Sequence, residues 1–317
     1  MVRPSILCPI DFSEPSRAAL RYAASIAEHF QAQLTVVTID DPLLHEAADI
    51  ALGPAWLTED SRKELERFVA HTFEHRPHGF VEMKLDVIKG KPAQEILRLA
   101  TEPGCDLIVM SSHGLTGVRK LFFGSITERV LRETTVPVLV APASDPGPRT
   151  LEDIKPFVRR ILAPIDLTAA TARQVRVAWG LAEALDVPLV LAHVVEPSRL
   201  RPGVLRRLPN IDVERRARAD KALGELTATI PPRIKSEALV TYGDPAEEIA
   251  KVARDRVAGL IVIGLHASPL AGPRMGSVTY RVLCLTPTTL VLALPPAEEA
   301  KPHKLTAALA TVTQPAK

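Results

Sequence analysis

Short apolar runs alternate with amphipathic stretches along this chain, and the alternation occurs twice. In the first half the strand-like runs are Ile6–Ile10, Leu34–Ile39, Glu82–Val87, Leu107–Met110 and Val138–Val140. Between the first two lies Ser13–Phe30, with Leu20, Ala23, Ala24 and Ala27 at helical spacing. Asp60–His75, Pro92–Thr101 and Ser125–Glu133 are also predicted as helices. The runs are continuously apolar, which predicts parallel strands buried on both faces. The second half repeats the order with Ile161–Ile165, Leu189–Val194, Glu237–Thr241, Leu260–Ile263 and Leu290–Leu294. Strand and helix in alternation predict an α/β fold. It would comprise two tandem doubly wound units, each a five-stranded parallel sheet flanked by helices.

The halves also match in sequence. ILCPID at 6–11 answers ILAPID at 161–166, and GKPAQEI at 90–96 answers GDPAEEI at 243–249. DLIVMSSHG at 106–114 answers GLIVIGLHA at 259–267, and GSITERVL at 124–131 answers GSVTYRVL at 276–283. The offset drifts only from 155 to 152, so one unit has been duplicated end to end. The predicted organisation is a first unit over 1–143, a linker rich in Pro and charge over 144–156, a second unit over 157–296 and a mobile tail over 297–317.

Composition changes this picture little. The 317 residues are 46% hydrophobic and 24% charged, and with 4% aromatics the core is built from aliphatic side chains and alanine. A net charge of +2 is too balanced to argue for a nucleic-acid or membrane partner. Cys8, Cys105 and Cys284 are scattered and flanked by apolar residues, as expected of buried free thiols in a reducing compartment. MVRPSILCPIDFS reaches Asp11 too early for a signal peptide, and no apolar run is long enough to span a bilayer. A cytoplasmic protein is expected.

In an open α/β sheet ligands bind beyond the carboxyl ends of the strands. Asp11 and Asp166 stand there, each directly after the first strand of its unit. Each could cap the following helix, but Ser13 and Thr168 are available for that role, which leaves the aspartates to a ligand. The stretch MSSHGLTGVRKLFFGSITERV at 110–130 begins at the end of the fourth strand. Ser125 and Glu128 have the spacing of a capping box at a helix start, where free N–H groups and the dipole favour phosphate. Neither a dinucleotide fingerprint nor a Walker A loop is present.

These residues resemble the universal stress protein domain. Its nucleotide-binding members carry Gly, two residues, Gly, nine residues, then Gly followed by Ser or Thr. Gly114 and Gly124-Ser125 keep the nine-residue gap, and ILCPIDFSE, GKPAQEI and VPVLVAP are similar to that family's strand ends. The resemblance covers both halves and implies a Rossmann-like fold of the adenine-nucleotide alpha-hydrolase type, with ATP as cofactor and Mg as a companion of its phosphates. Asp11, following Pro9 and Ile10, would hold ribose or phosphates, and the backbone of Ile39 would meet adenine. Met110, Ser111, His113 and Gly114, with Gly124, Ser125 and Ile126, would wrap ribose and phosphates. The second unit's counterparts are Asp166, Val194, Gly264, Gly276 and Ser277. The resemblance also implies pairing of the two units within one chain, or a homodimer.

The departures from the motif are uneven. Ser111 stands where the leading glycine belongs, and a serine is tolerated there only if the backbone is not left-handed. In the second unit Gly264 is kept, but Ala267 replaces the next glycine, the loop is one residue shorter, and it carries Pro269 and Pro273. An alanine forced left-handed costs about 1 kcal/mol, and proline removes a donor. Tyr280 also stands in place of the capping-box glutamate. The first unit is the better nucleotide site.

Other clusters favour ordinary roles. His71, His75 and His78 include an i, i+4 pair that could share a metal, but no third ligand is forced to converge and the segment is charged. His113 and His266 match between units without a nucleophile beside them, so no catalytic set is predicted. The arginines at 199, 201, 206, 207, 215, 216 and 218 are interleaved with Asp212 and Glu214, which favours a solvated helix face over nucleic acid. The sequence thus predicts an ATP-binding regulatory stress protein without turnover. A slow ATPase and a nucleotide-free, partner-binding protein are the alternatives.

Overall fold

The computed structural model describes residues 3–53, 56–74, 83–102, 104–113, 124–148, 153–168, 171–197, 210–265 and 276–296. The first half runs β1 (Ser5–Pro9), α1 (Glu14–Phe30), β2 (Gln33–Asp40), α2 (Pro42–Leu52), α3 (Trp56–Thr72), β3 (Met83–Lys89), α4 (Pro92–Thr101), β4 (Cys105–Ser111), α5 (Ser125–Glu133) and β5 (Val138–Ala141). A short helix, α6 (Ile154–Phe157), leads into the second half. There follow β6 (Ile161–Pro164), α7 (Thr171–Leu185), β7 (Leu189–Val195), α8 (Ile211–Ala228), β8 (Ser236–Tyr242), α9 (Pro245–Asp255), β9 (Leu260–Gly264), α10 (Ser277–Leu285) and β10 (Leu290–Leu294).

All ten strands lie in one sheet of order β3-β2-β1-β4-β5-β10-β9-β6-β7-β8. Pairing is parallel within each half, and β5 meets β10 antiparallel, with Leu292 opposite Leu139. Each half is therefore the expected doubly wound unit. The helices divide by face. Leu20 of α1, Leu65 of α3, Ala178 of α7 and Leu223 of α8 pack into one core layer. Ile96 of α4, Val130 of α5, Ile249 of α9 and Val282 of α10 pack into the other.

One sequence expectation needs correction. Burial on both faces holds for inner strands such as β4, but not for β3 and β8 at the sheet edges, where Lys84 and Lys89 of β3 and Ser236, Ala238 and Tyr242 of β8 are exposed. An edge strand is covered on fewer sides. The segment after β5 packs back onto α1. Tyr22 donates its hydroxyl to Asp145, Arg21 donates to the Pro146 carbonyl at 2.6 Å, and Phe157 packs edge-on against Tyr22. The expected tail over 297–317 lies outside the described residues.

The three thiols are free. Burial pushes the Cys8 thiol well above the ordinary range and that of Cys105 up to about 12, so neither is poised as a nucleophile.

Candidate functional site

In each half the strand order reverses beside the first strand, at β1/β4 and at β6/β9. A ligand-sized cleft opens at the carboxyl ends of these strands in both halves.

The first cleft has a volume of about 360 Å³. Pro9, Ile10 and Asp11 enter it from β1, Thr38 to Asp41 from β2, Met110, Ser111 and His113 from β4, and Gly124 to Thr127 from the start of α5. It thus gathers every described residue assigned to the first site from sequence. Gly114 lies outside the described residues.

The aspartate turn is built the same way in both halves. The Asp11 Oδ1 accepts the Ser13 N–H at 3.2 Å and the Ser13 hydroxyl at 2.5 Å. The Asp166 Oδ1 accepts the Thr168 N–H at 3.0 Å, the Thr168 hydroxyl at 2.9 Å and the Thr171 hydroxyl at 3.2 Å. This corrects the expectation that the aspartates are left wholly to a ligand: one oxygen of each helps to form the turn. Ser13 does cap α1, accepting the Ser16 N–H. The residue between, Phe12 or Leu167, has φ of 62° or 61°, left-handed backbone that bulky side chains rarely adopt. Strain of this kind recurring at matching positions is typical of binding sites. Phe12 is held there by its edge-on contact with Phe68, 5.7 Å between ring centres.

At the other wall, the capping box is not formed. Gly124 is the cap residue, Ser125 is the first residue inside the helix, and no side chain caps it. Glu128 instead pairs with Arg132 one turn on, at 2.6 Å. The uncapped start leaves the first N–H groups of α5 without helical partners beside the cleft. Gly124 donates its N–H to the Ser112 carbonyl at 3.0 Å, and a Cβ would come within 3.2 Å of that oxygen. Ser111 answers the question its substitution raised. It is not among the described residues with positive φ, its hydroxyl donates to the His113 carbonyl at 2.7 Å, and its own carbonyl accepts the Thr127 hydroxyl at 2.9 Å. A serine is accommodated as well as a glycine would be.

Beneath the rim lies a pair that the sequence did not reveal. Asp40 and His45 are both buried, with Oδ2 and Nε2 at 3.4 Å, and the Ser61 hydroxyl donates to the other Asp40 oxygen at 3.1 Å. Asp41 caps α2 by accepting the Leu43 N–H at 2.8 Å. Asp-Asp-Pro at 40–42 was a legible helix start, but nothing in the spacing showed that His45 would turn back under Asp40.

The second cleft, about 410 Å³, gathers Asp166, Val194, Gly264, Gly276 and Ser277, all five residues assigned to it. Its chemistry differs. Gln174, where the first unit has Ala19, reaches across the floor and donates to the carbonyls of Pro164 and Val262 at 2.6 and 2.9 Å. His193 donates from Nδ1 to the Ile165 carbonyl at 2.7 Å, and Arg215 is held by the Glu196 carbonyl at 2.7 Å and by Asp212. Ala267 and His266 lie outside the described residues.

The same fold, aspartate turns and glycine-capped helix starts recur in both halves, and so does the sequence match to a known family. The family model described as the universal stress protein family matches residues 3–142 and again 158–293. The chain belongs to the universal stress protein family. A universal stress protein of Methanocaldococcus jannaschii is 29% identical over 149 residues, spanning 43% of this chain and 92% of its own. A universal stress protein of Bacillus subtilis is 28% identical over 142 residues, 43% of this chain and 96% of its own. Among solved structures, a universal stress protein from Archaeoglobus fulgidus aligns with 92% of this chain and 96% of its own, at a TM-score of 0.61 and 20% identity. A protein of unknown function from Pseudomonas aeruginosa aligns with 98% and 97%, at 0.62 and 18%. These two have the same fold over the whole tandem length.

The remaining clusters are held in ordinary pairings, although Arg215 also lines the second cleft. His71 Nδ1 faces the Arg17 guanidinium at 3.2 Å, an environment that opposes a metal ion, while His75 and His78 lie outside the described residues. Among the described residues no group of three His, Cys, Asp or Glu side chains is arranged to hold a metal. Arg215, Arg216 and Arg218 pair along α8 with Asp212, Asp220 and Glu214. No helix among the described residues is long and apolar enough to cross a membrane.

Proposed function

We propose that this universal stress protein is a regulatory module that binds ATP in the cleft of its first unit. The observation that carries the proposal is the convergence of three strand ends and an uncapped helix start on one cleft of about 360 Å³. The chemistry matches a nucleotide. The α5 N-terminus favours phosphate, Asp11 lines the cleft, and the glycine at 124 lets the start of α5 pack closely against the Ser112 carbonyl at the end of β4. Asp11, Asp40 and Asp41 all line the cleft, so a triphosphate would enter with Mg riding on its phosphates rather than in a cage of protein ligands.

In this proposal the units are 1–143 and 157–296, joined by 144–156, and they act as a pair across β5 and β10 or assemble further into a homodimer. In this reading the chain is a regulator rather than an enzyme, and it works in the cytoplasm. The second cleft is the weaker nucleotide site, since Gln174 occupies its floor.

The test is direct. Freshly purified protein is denatured and the supernatant chromatographed for adenine nucleotide, and ATP is titrated calorimetrically with and without Mg. One equivalent per chain is expected, with affinity about tenfold weaker without Mg and abolished in Gly124→Val. No released nucleotide and no heat would leave the partner-binding reading standing. Two equivalents would show equal clefts, and phosphate release above that of Asp11→Ala would make the protein an ATPase.

A further inference from the structure

Away from both clefts, a cavity of about 100 Å³ lies over the seam where the two halves of the sheet join. Leu139 of β5 and Leu292 of β10 form its floor. Tyr22 and Phe30 of α1 form one wall, Ala184 of α7 the opposite one, and Ile154 of α6 closes a side. His29 in the last turn of α1, itself exposed, also lines the cavity and stands edge-on to Phe30 with ring centres 4.8 Å apart.

The two buried polar residues at this cavity are already engaged. The Tyr22 hydroxyl donates to Asp145, and Asp106 accepts the Ser5 N–H at 2.9 Å. A trapped water needs two to four polar partners, and a lining of this kind does not supply them. Apolar cavities of the same order, about 150 Å³, stay dry and take up benzene or xenon. The buried Asp106 carboxylate beside the wall opposes an anion such as a fatty acid, and an apolar lining dominated by leucine desolvates any charged group without replacing its water.

We propose that the seam cavity is a binding site for a small neutral apolar molecule, aromatic or alicyclic, of about the size of benzene. Such a molecule touches both halves of the chain at once. Its two walls are α1 and α7, whose opening turns carry Ser13 and Thr171, the partners of Asp11 and Asp166 in the two clefts. The site is therefore placed to tie the halves together and to report its occupancy to both clefts. It does not depend on whether either cleft holds a nucleotide.

The probe is benzene, added to the full nucleotide-free chain and followed by saturation-transfer NMR and thermal unfolding. Saturable binding and a rise in Tm of about 1–3 °C at saturation are expected. Ala184→Phe fills the cavity and weakens benzene binding at least tenfold, whereas Glu225→Phe on the exposed face of α8 leaves it unchanged. Leu139→Ala enlarges the same space and tightens uptake of the larger probe naphthalene, so the proposal stays testable if Ala184→Phe does not fold. Absence of saturable binding in the unmodified chain overturns the proposal. So does a benzene affinity that neither cavity variant alters.

Discussion

Phe12 and Leu167 show what a single residue can conceal. Left-handed backbone is normally announced by Gly or Asn, and here it is occupied by two of the least suitable side chains. Phe12 stays because Phe68 receives its ring, with Arg17 stacked 4.3 Å over the far partner. Phe12→Gly would relieve about 1 kcal/mol of strain but lose more in packing and chain entropy. We expect a net loss of about 2 kcal/mol in urea unfolding. Asp244 makes a second residue-level case. The Arg281 guanidinium, at 2.7 Å, and then the Glu247 N–H hold its carboxyl below the ordinary value of 3.8. A depressed folded-state pKa means the stabilisation is complete above the unfolded value and fades as pH falls through the folded one. Asp244→Asn should therefore lower the unfolding midpoint at pH 7, and the gap to the unmodified chain should close as pH falls below the ordinary aspartate range.

At the scale of elements, most boundaries were legible because the apolar period changes where strand becomes helix. Pro92–Thr101 and Ser125–Glu133 are found as expected, and Leu290–Leu294 likewise. The helix α2 was not foreseen. Its leucines at 43, 44 and 52 and Ile50 are exposed, while His45 and Ala48 face inward, so the apolar positions do not mark the buried face. The α5 cap was placed one residue off, and Glu128, the partner the box required, pairs instead with Arg132 one turn on. The seating of the α6 end depends on Gly259, where a Cβ would sit 2.1 Å from the Phe157 carbonyl. Gly259→Ala should cost about 2 kcal/mol or more, since backbone must move. Gly224→Ala, in α8 with nothing within 4 Å, should instead stabilise by about 0.5–1 kcal/mol.

For the whole molecule, the decisive contact is the antiparallel meeting of β5 and β10, which makes one sheet of two duplicated halves. Both core layers continue across it, with Leu139 beside Leu292 on one face and Val140 beside Val291 on the other. Unfolding should therefore be a single cooperative transition by scanning calorimetry. Leu292→Lys places a charge in that seam and should split the trace into two. The duplication also explains why two similar clefts diverge: each is lined by strand ends and a helix start that one half can change without disturbing the other.

The sequence by itself determined the duplication, the α/β alternation, the family and the strand ends that line the two clefts. Each of these is written locally, in side-chain period and motif spacing. Only the tertiary structure decided that the aspartates share themselves with their own turns, that Ser111 fits its place, and that Gln174 fills the second floor. It alone brought His45 under Asp40 and left a cavity above the seam. These outcomes depend on which distant side chains meet and how closely, and no local pattern along the chain encodes that.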